Sequence, residues 1–164
     1  MASREWDRLT TQHQELIQGH QAQVPVRLSA IARELGLQLK ASTLPAGVSG
    51  EIRPDGSGGF IVKVNRHDSG RRQRFTIAHE IAHYLLHRDQ IGVGISDDAL
   101  YRSNLSDARE AEANRLAADL LMPTNAVQAE VGNARRLQVE DVVSFVADRF
   151  EVSEAAMKIR LGLS

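Results

Sequence analysis

Hydrophobic positions in this chain recur at two spacings, and the change from one to the other divides it. Residues 3–21 are polar with sparse apolar positions (Trp6, Leu9, Leu16, Ile17), which predicts one helix lying on the surface. Pro25 blocks its continuation. In "LSAIARELG" (28–36), Leu28, Ile31, Ala32 and Leu35 return at helical spacing, and Gly36 marks a C-terminal stop. The period then shortens to two. "LQLKAST" (37–43) alternates like a strand, and Ile61, Val62 and Val64 form a β-prone run. "RPDGSGG" (53–59) is a turn joining that run to a strand around Gly50–Arg53, so a small β-meander is expected. Helical spacing resumes from about Gln73 to about Arg88. Residues 89–106 carry Gly and Asp without a clear period and predict an irregular connection. Ser106 or Asp107 can cap the next helix, which Pro123 closes, and a short helix with a loop follows over 124–137. The end of the chain reads as two helices separated by "FEVS" (150–153), with Ser153 as an N-cap.

Composition narrows the classes. A chain of 164 residues is long enough for one domain with a proper core, alone or with a small appendage. It has no cysteine, which excludes disulfides, zinc fingers, Fe–S clusters and a thiol nucleophile, so any metal site must use His, Asp or Glu. The lack of cysteine also fits a reducing cytoplasm. No stretch approaches the length of apolar chain that a membrane span needs, and the start lacks the apolar core of a secretory signal. A net charge of −1 argues against nonspecific nucleic-acid binding as the main activity. Locally, Arg53 to Arg74 holds six Lys/Arg against two acids, either a partner-binding rim or, as for most such runs, a solvated loop.

The chemistry concentrates in "FTIAHEIAHYLLH" (75–87). His79-Glu80-x-x-His83 is the zinc-protease helix signature. Residues i and i+4 share a helix face, so both imidazoles can reach one ion. Glu80, turned about 100° from His79, stays near the metal without ligating it, where it can act as the general base. Short matches of this kind also occur on ordinary solvated helices. Here the flanks Phe75, Ile77, Ala78, Ile81, Ala82, Leu85 and Leu86 are apolar, so the helix is expected to be buried. His87 cannot be the third ligand, because eight residues of helix rise about 12 Å. It is expected to support the site or lie on the surface. The metzincin extension is absent too, with Leu86 and Asp89 where Gly and His would stand. The third ligand must come from another element, and "REAEANRLAADLLMP" (109–123) is the best donor. In a thermolysin-like arrangement a glutamate on a second helix ligates, and a polar residue four positions on steadies one ligand histidine. Glu110 with Asn114 fits that template; Glu112 is the weaker candidate.

At these two motifs the chain resembles the ImmA/IrrE family of metallopeptidase-like proteins. "RFTIAHEIAHYLLH" (74–87) and "EAEANRLAADLLMP" (110–123) carry the resemblance, supported by "LSAIARELGLQL" (28–39) and "GFIVKVN" (59–65), over about residues 24–123. One departure is Leu116, where the family usually shows Phe. The resemblance implies an α+β fold: a minimal zincin core with a small β-sheet, the HExxH helix, a second ligand-bearing helix and a helical tail. It also implies three segments: an N-terminal surface helix (1–23), a zinc metallopeptidase-like domain (24–132) and a small helix-turn-helix-like unit (133–164). Carried over residue by residue, it makes His79, His83 and Glu110 the zinc ligands and Glu80 the general base; Asn114 would support the ligand set. Manganese or another divalent ion also suits two His and one Glu.

The function implied is that of a cytoplasmic bacterial or phage endopeptidase that cleaves an XRE-type helix-turn-helix repressor to relieve repression. Residues 133–164 hold five basic and five acidic residues, so the tail is not expected to bind DNA on its own. In zincins the substrate adds beside an edge strand, expected here at Gly59–Val64. Tyr84, His67 and Tyr101 are candidates for stabilising the oxyanion. The competing reading is a noncatalytic, zinc-stabilised regulatory or toxin–antitoxin partner that binds a repressor or DNA. The presence of Glu80 discriminates against it, since a purely structural site has no use for that carboxylate.

Overall fold

The structure, a computed structural model, describes residues 1–163; Ser164, the last residue of the expected C-terminal unit, lies outside the described residues. Two short helices, α1 (Arg4–Asp7) and α2 (Thr11–His20), stand where one was expected. The break follows from capping: Thr10 is extended and its hydroxyl accepts from His13 N–H, which starts a new helix. Next come α3 (Leu28–Glu34), β1 (Leu37–Ser42), β2 (Val48–Pro54) and β3 (Phe60–Asn65). Gly36 ends the α3 segment with φ +80°, the left-handed conformation that favours glycine. The long helix α4 (Gly70–His87) starts three residues earlier than its apolar pattern, because Ser69 caps it by accepting from Arg72 N–H. A 3₁₀ turn (Arg88–Gln90) leads to β4 (Ile95–Asp98), and then come α5 (Asp107–Leu121), α6 (Thr124–Arg136), α7 (Val142–Phe150) and α8 (Glu154–Arg160). Ser106 caps α5 and Ser153 caps α8. The architecture is α+β, as expected for a minimal zincin-like fold.

The four strands form one mixed sheet in the order β1-β3-β2-β4. β3 runs parallel to β1 and antiparallel to β2, while β4 pairs antiparallel with β2 across an irregularity at Val48/Gly50. This corrects the edge-strand expectation. Gly59–Val64 falls in β3, a central strand with no free edge, and the strand beyond β2 is β4, inside the segment expected to be irregular.

Alternation places Leu37, Ile52, Val62 and Val64 toward the helices, and α3 and α4 cover that face. On the other face Lys63 and Arg53 lie beside Glu51 at 3.7 and 3.8 Å. α5 packs along α4, and Ala78, Ala82, Ala113 and Ala117 are all fully buried, so small side chains let the two helices approach closely.

The N-terminal helices are tied to α5. Ser3 bonds Asp119, Glu5 is buried and held by Arg115 in a bidentate pair at 2.7 and 3.0 Å, and the side chain of Trp6 packs on the core. The tail docks on the same helix end, with Arg160 bonding Asp119 and the Met122 carbonyl. Much of the basic run is engaged within the molecule: Arg71 pairs with Asp148, Arg72 bonds the Ala99 carbonyl and Arg74 bonds the Val26 carbonyl. No helix is long and apolar enough to cross a membrane.

Candidate metal centre

α4 presents His79 and His83 on one face, and α5 lies across that face with Glu110 one turn from its N-terminus. Glu110 Oε1 sits 3.0 Å from His79 Nε2 and 3.1 Å from His83 Nε2, and the two Nε2 atoms are 3.0 Å apart. The structure thus brings together the three residues expected to ligate. Their far sides are held. His79 Nδ1 lies 2.9 Å from Asn114 Oδ1, so an Nδ1–H donating to that amide leaves Nε2 turned toward Glu110. Ser103 Oγ donates to Glu110 Oε2 at 2.5 Å.

His87 does not reach the centre. It is buried and faces His83 ring to ring, Nδ1 to Nδ1 at 3.0 Å. Burial, with the His83 charge adding to it, holds His87 below the ordinary histidine range, so the neutral ring can accept the His83 Nδ1–H. Glu112 faces away, toward Arg8 and Arg109, with His87 Nε2 at 3.7 Å.

A fourth acid was not anticipated. Asp97 on β4 is fully buried, with Oδ1 3.4 Å from His79 Nε2 and Oδ2 3.8 Å from His83 Nε2. The sequence signal was the alternation in "ISDD" (95–98): Ile95 and Asp97 point inward and Ser96 outward, a strand pattern in which one inward position is an acid.

Glu80 is fully buried beside this group, and neither of its oxygens has a hydrogen-bond partner. Burial, then the neighbouring Asp97 carboxylate, then the charges of Glu110 and Glu51 push its carboxyl well above the usual range. β2 approaches α4 closely beside it at Gly50, where a Cβ would run into the Thr76 side chain and stand 3.5 Å from Glu80 Oε1. Of the three oxyanion candidates only Tyr101 is close. Its ring lies 5.0 Å from that of His79, and its hydroxyl is 3.1 Å from Thr76 Oγ1. Tyr84 packs against Phe60 and Arg88, and His67 sits by Thr43 at the exposed end of the sheet.

The electrostatics call for a cation. Three buried carboxylates converge, and among the described residues no Lys or Arg forms an ion pair with Glu80, Asp97 or Glu110. Burial alone would lower the His79 pKa, yet Asp97 and Glu110 outweigh it and raise it to about 9. Burial likewise works against ionised Glu110, but the bonds from His79, His83 and Ser103 hold it below the usual carboxylate range. Both Asp97 oxygens lack a hydrogen-bond partner. One donor atom each from His79, His83, Asp97 and Glu110 lies within 4.8 Å of all the others, so these four could hold a divalent metal ion.

A search of curated proteins found no match. The family model described as the IrrE N-terminal-like domain, a peptidase family, matches residues 32–162, a span that takes in the sheet, both site helices and the tail. With most of its length matched and the HExxH helix and Glu110 converging inside the match, the chain belongs to this IrrE-type metallopeptidase family.

Proposed function

We propose that the protein is a zinc-dependent endopeptidase that cuts a partner protein in the cytoplasm, and that the partner is an XRE-type repressor whose cleavage relieves repression. His79, His83 and Glu110 hold the ion, and Asn114 fixes the His79 ring. A bound zinc ion supplies Lewis-acid polarisation and a nucleophile available at neutral pH. The observation that carries the hydrolytic reading is Glu80, fully buried beside the donor set with neither carboxyl oxygen hydrogen-bonded. Its carboxyl oxygens can take up a proton and release it to a leaving amine. A noncatalytic zinc scaffold gives no reason to bury that carboxylate. The strand edge available to a peptide beside the centre is that of β4, the end strand of the sheet.

Co-expression with a repressor-like protein encoded beside it tests the reading, comparing wild type, Glu80→Ala and Glu110→Ala by mass spectrometry. Wild type should yield defined fragments and both variants should not. Cleavage that survives Glu80→Ala sinks the mechanism, and metal content unchanged in Glu110→Ala sinks the ligand assignment.

A further inference from the structure

We infer that Asp97 fills the fourth position around the metal, so that the resting centre is closed by four protein ligands and opens to a peptide only when the β4 segment moves. This rests on the metal-centre reading above and adds a ligand and a state to it.

Three observations carry it. The first is the donor geometry. In a tetrahedral site with bonds of about 2.0–2.1 Å, donor atoms stand about 3.4 Å apart. Asp97 Oδ1 lies 3.4 Å from His79 Nε2 and Asp97 Oδ2 lies 3.8 Å from His83 Nε2, beside the 3.0 and 3.1 Å separations within the His–His–Glu set. Asp97 is fully buried with both oxygens unpartnered, and unlike Glu80 it has a carboxylate oxygen within 4.8 Å of every other donor atom of the group. The second is access. His79, Glu80, His83 and Asp97 are each 0 % exposed and Glu110 is 5 % exposed, so no peptide reaches the reacting groups in this state. Catalytic sites built on three protein ligands keep the fourth position open, whereas sites with four are closed.

The third is the segment that does the closing. Residues 95–103 cross the centre and touch it three times: Asp97 at the donors, the Tyr101 ring against His79, and Ser103 on Glu110. Arg72 holds the segment down through the Ala99 carbonyl. Gly92 and Gly94 precede it with φ +56° and +147°, and Tyr101 itself is left-handed at φ +56°. β4 is also the strand beside which a peptide would add, so the element that closes the site is the one that docking engages. Opening removes one ligand and uncovers Glu80 in the same movement.

The test uses metal-free full-length protein loaded with Co²⁺, followed by visible absorption and then titrated with azide, a small anion that binds an open coordination position. Wild type should take up one Co²⁺ and show no spectral response to azide. Asp97→Asn and Asp97→Ala should bind Co²⁺ at least about tenfold more weakly and respond to azide with saturation. An azide response in wild type overturns the inference whatever the affinities are, and so does an Asp97→Asn affinity equal to wild type. The wild-type arm needs no substitution, so it decides the matter even if a variant fails to fold. Glu110→Gln separates the two readings. If it loses metal while Asp97→Asn does not, the three-residue centre stands and Asp97 falls; if wild type takes up no metal, both fall.

Discussion

Glu80 and Asn114 both lie beside the donors, yet their substitution has opposite consequences. Glu80→Gln keeps the shape and removes the proton acceptor. Metal content measured by mass spectrometry should stay at the wild-type level while cleavage falls by about 10²–10⁴-fold. Asn114→Ala leaves Glu80 in place and frees the Nδ1 side of His79, so metal affinity should drop by about 10–100-fold in a chelator competition. The same contrast explains what the sequence made legible. His79, His83, Glu110 and Asn114 each belong to an i, i+4 pair on a helix, and helix periodicity is visible at a distance of four residues. Asp97 belongs to a strand of only four residues, whose alternation in "ISDD" is too short to stand out from the Gly- and Asp-bearing connection around it.

At the scale of elements, β2 and α4 are pressed together where Gly50 meets Thr76 and Glu80. A Cβ at position 50 would also come to 3.2 Å from the Lys63 carbonyl, a backbone atom that cannot swing aside. Gly50→Ala should therefore push the sheet from the helix and destabilise the protein by about 1–3 kcal/mol, read from the shift in the urea unfolding midpoint. The helices and β1–β3 could be located from spacing, because each carries its own apolar face. The order of strands could not. β1 and β2 pair on the two sides of β3 and place it inside the sheet, while β4 joins β2 from beyond the HExxH helix and moves the available edge to a segment that reads as a loop.

For the whole molecule, a bound metal should act as a structural tie, since it neutralises carboxylates that otherwise face one another in the core. At a free ion concentration about a hundredfold above its Kd, binding adds about 2.7 kcal/mol. For a chain of this size that raises Tm by about 5–10 °C over protein treated with chelator, which differential scanning calorimetry would register. A second dependence lies far from the centre. Arg115, bonded to the buried Glu5, holds that carboxyl at about 2, below its ordinary value of 4.5. A carboxyl depressed in the folded state contributes its stability above the unfolded pKa and loses it as pH falls toward the folded one. The unfolding midpoint should thus decline between about pH 5 and about pH 2, and Glu5→Gln should flatten that slope.

The joint between α1 and α5 also carries the chain's only tryptophan, Trp6. Its indole is a built-in fluorophore packed against the core one residue from the Glu5–Arg115 pair. Emission from this one ring therefore reports whether α1 has peeled from α5. A red shift that precedes the loss of far-UV circular dichroism during acidification would mark the joint opening before the fold is lost, with no label attached to the protein.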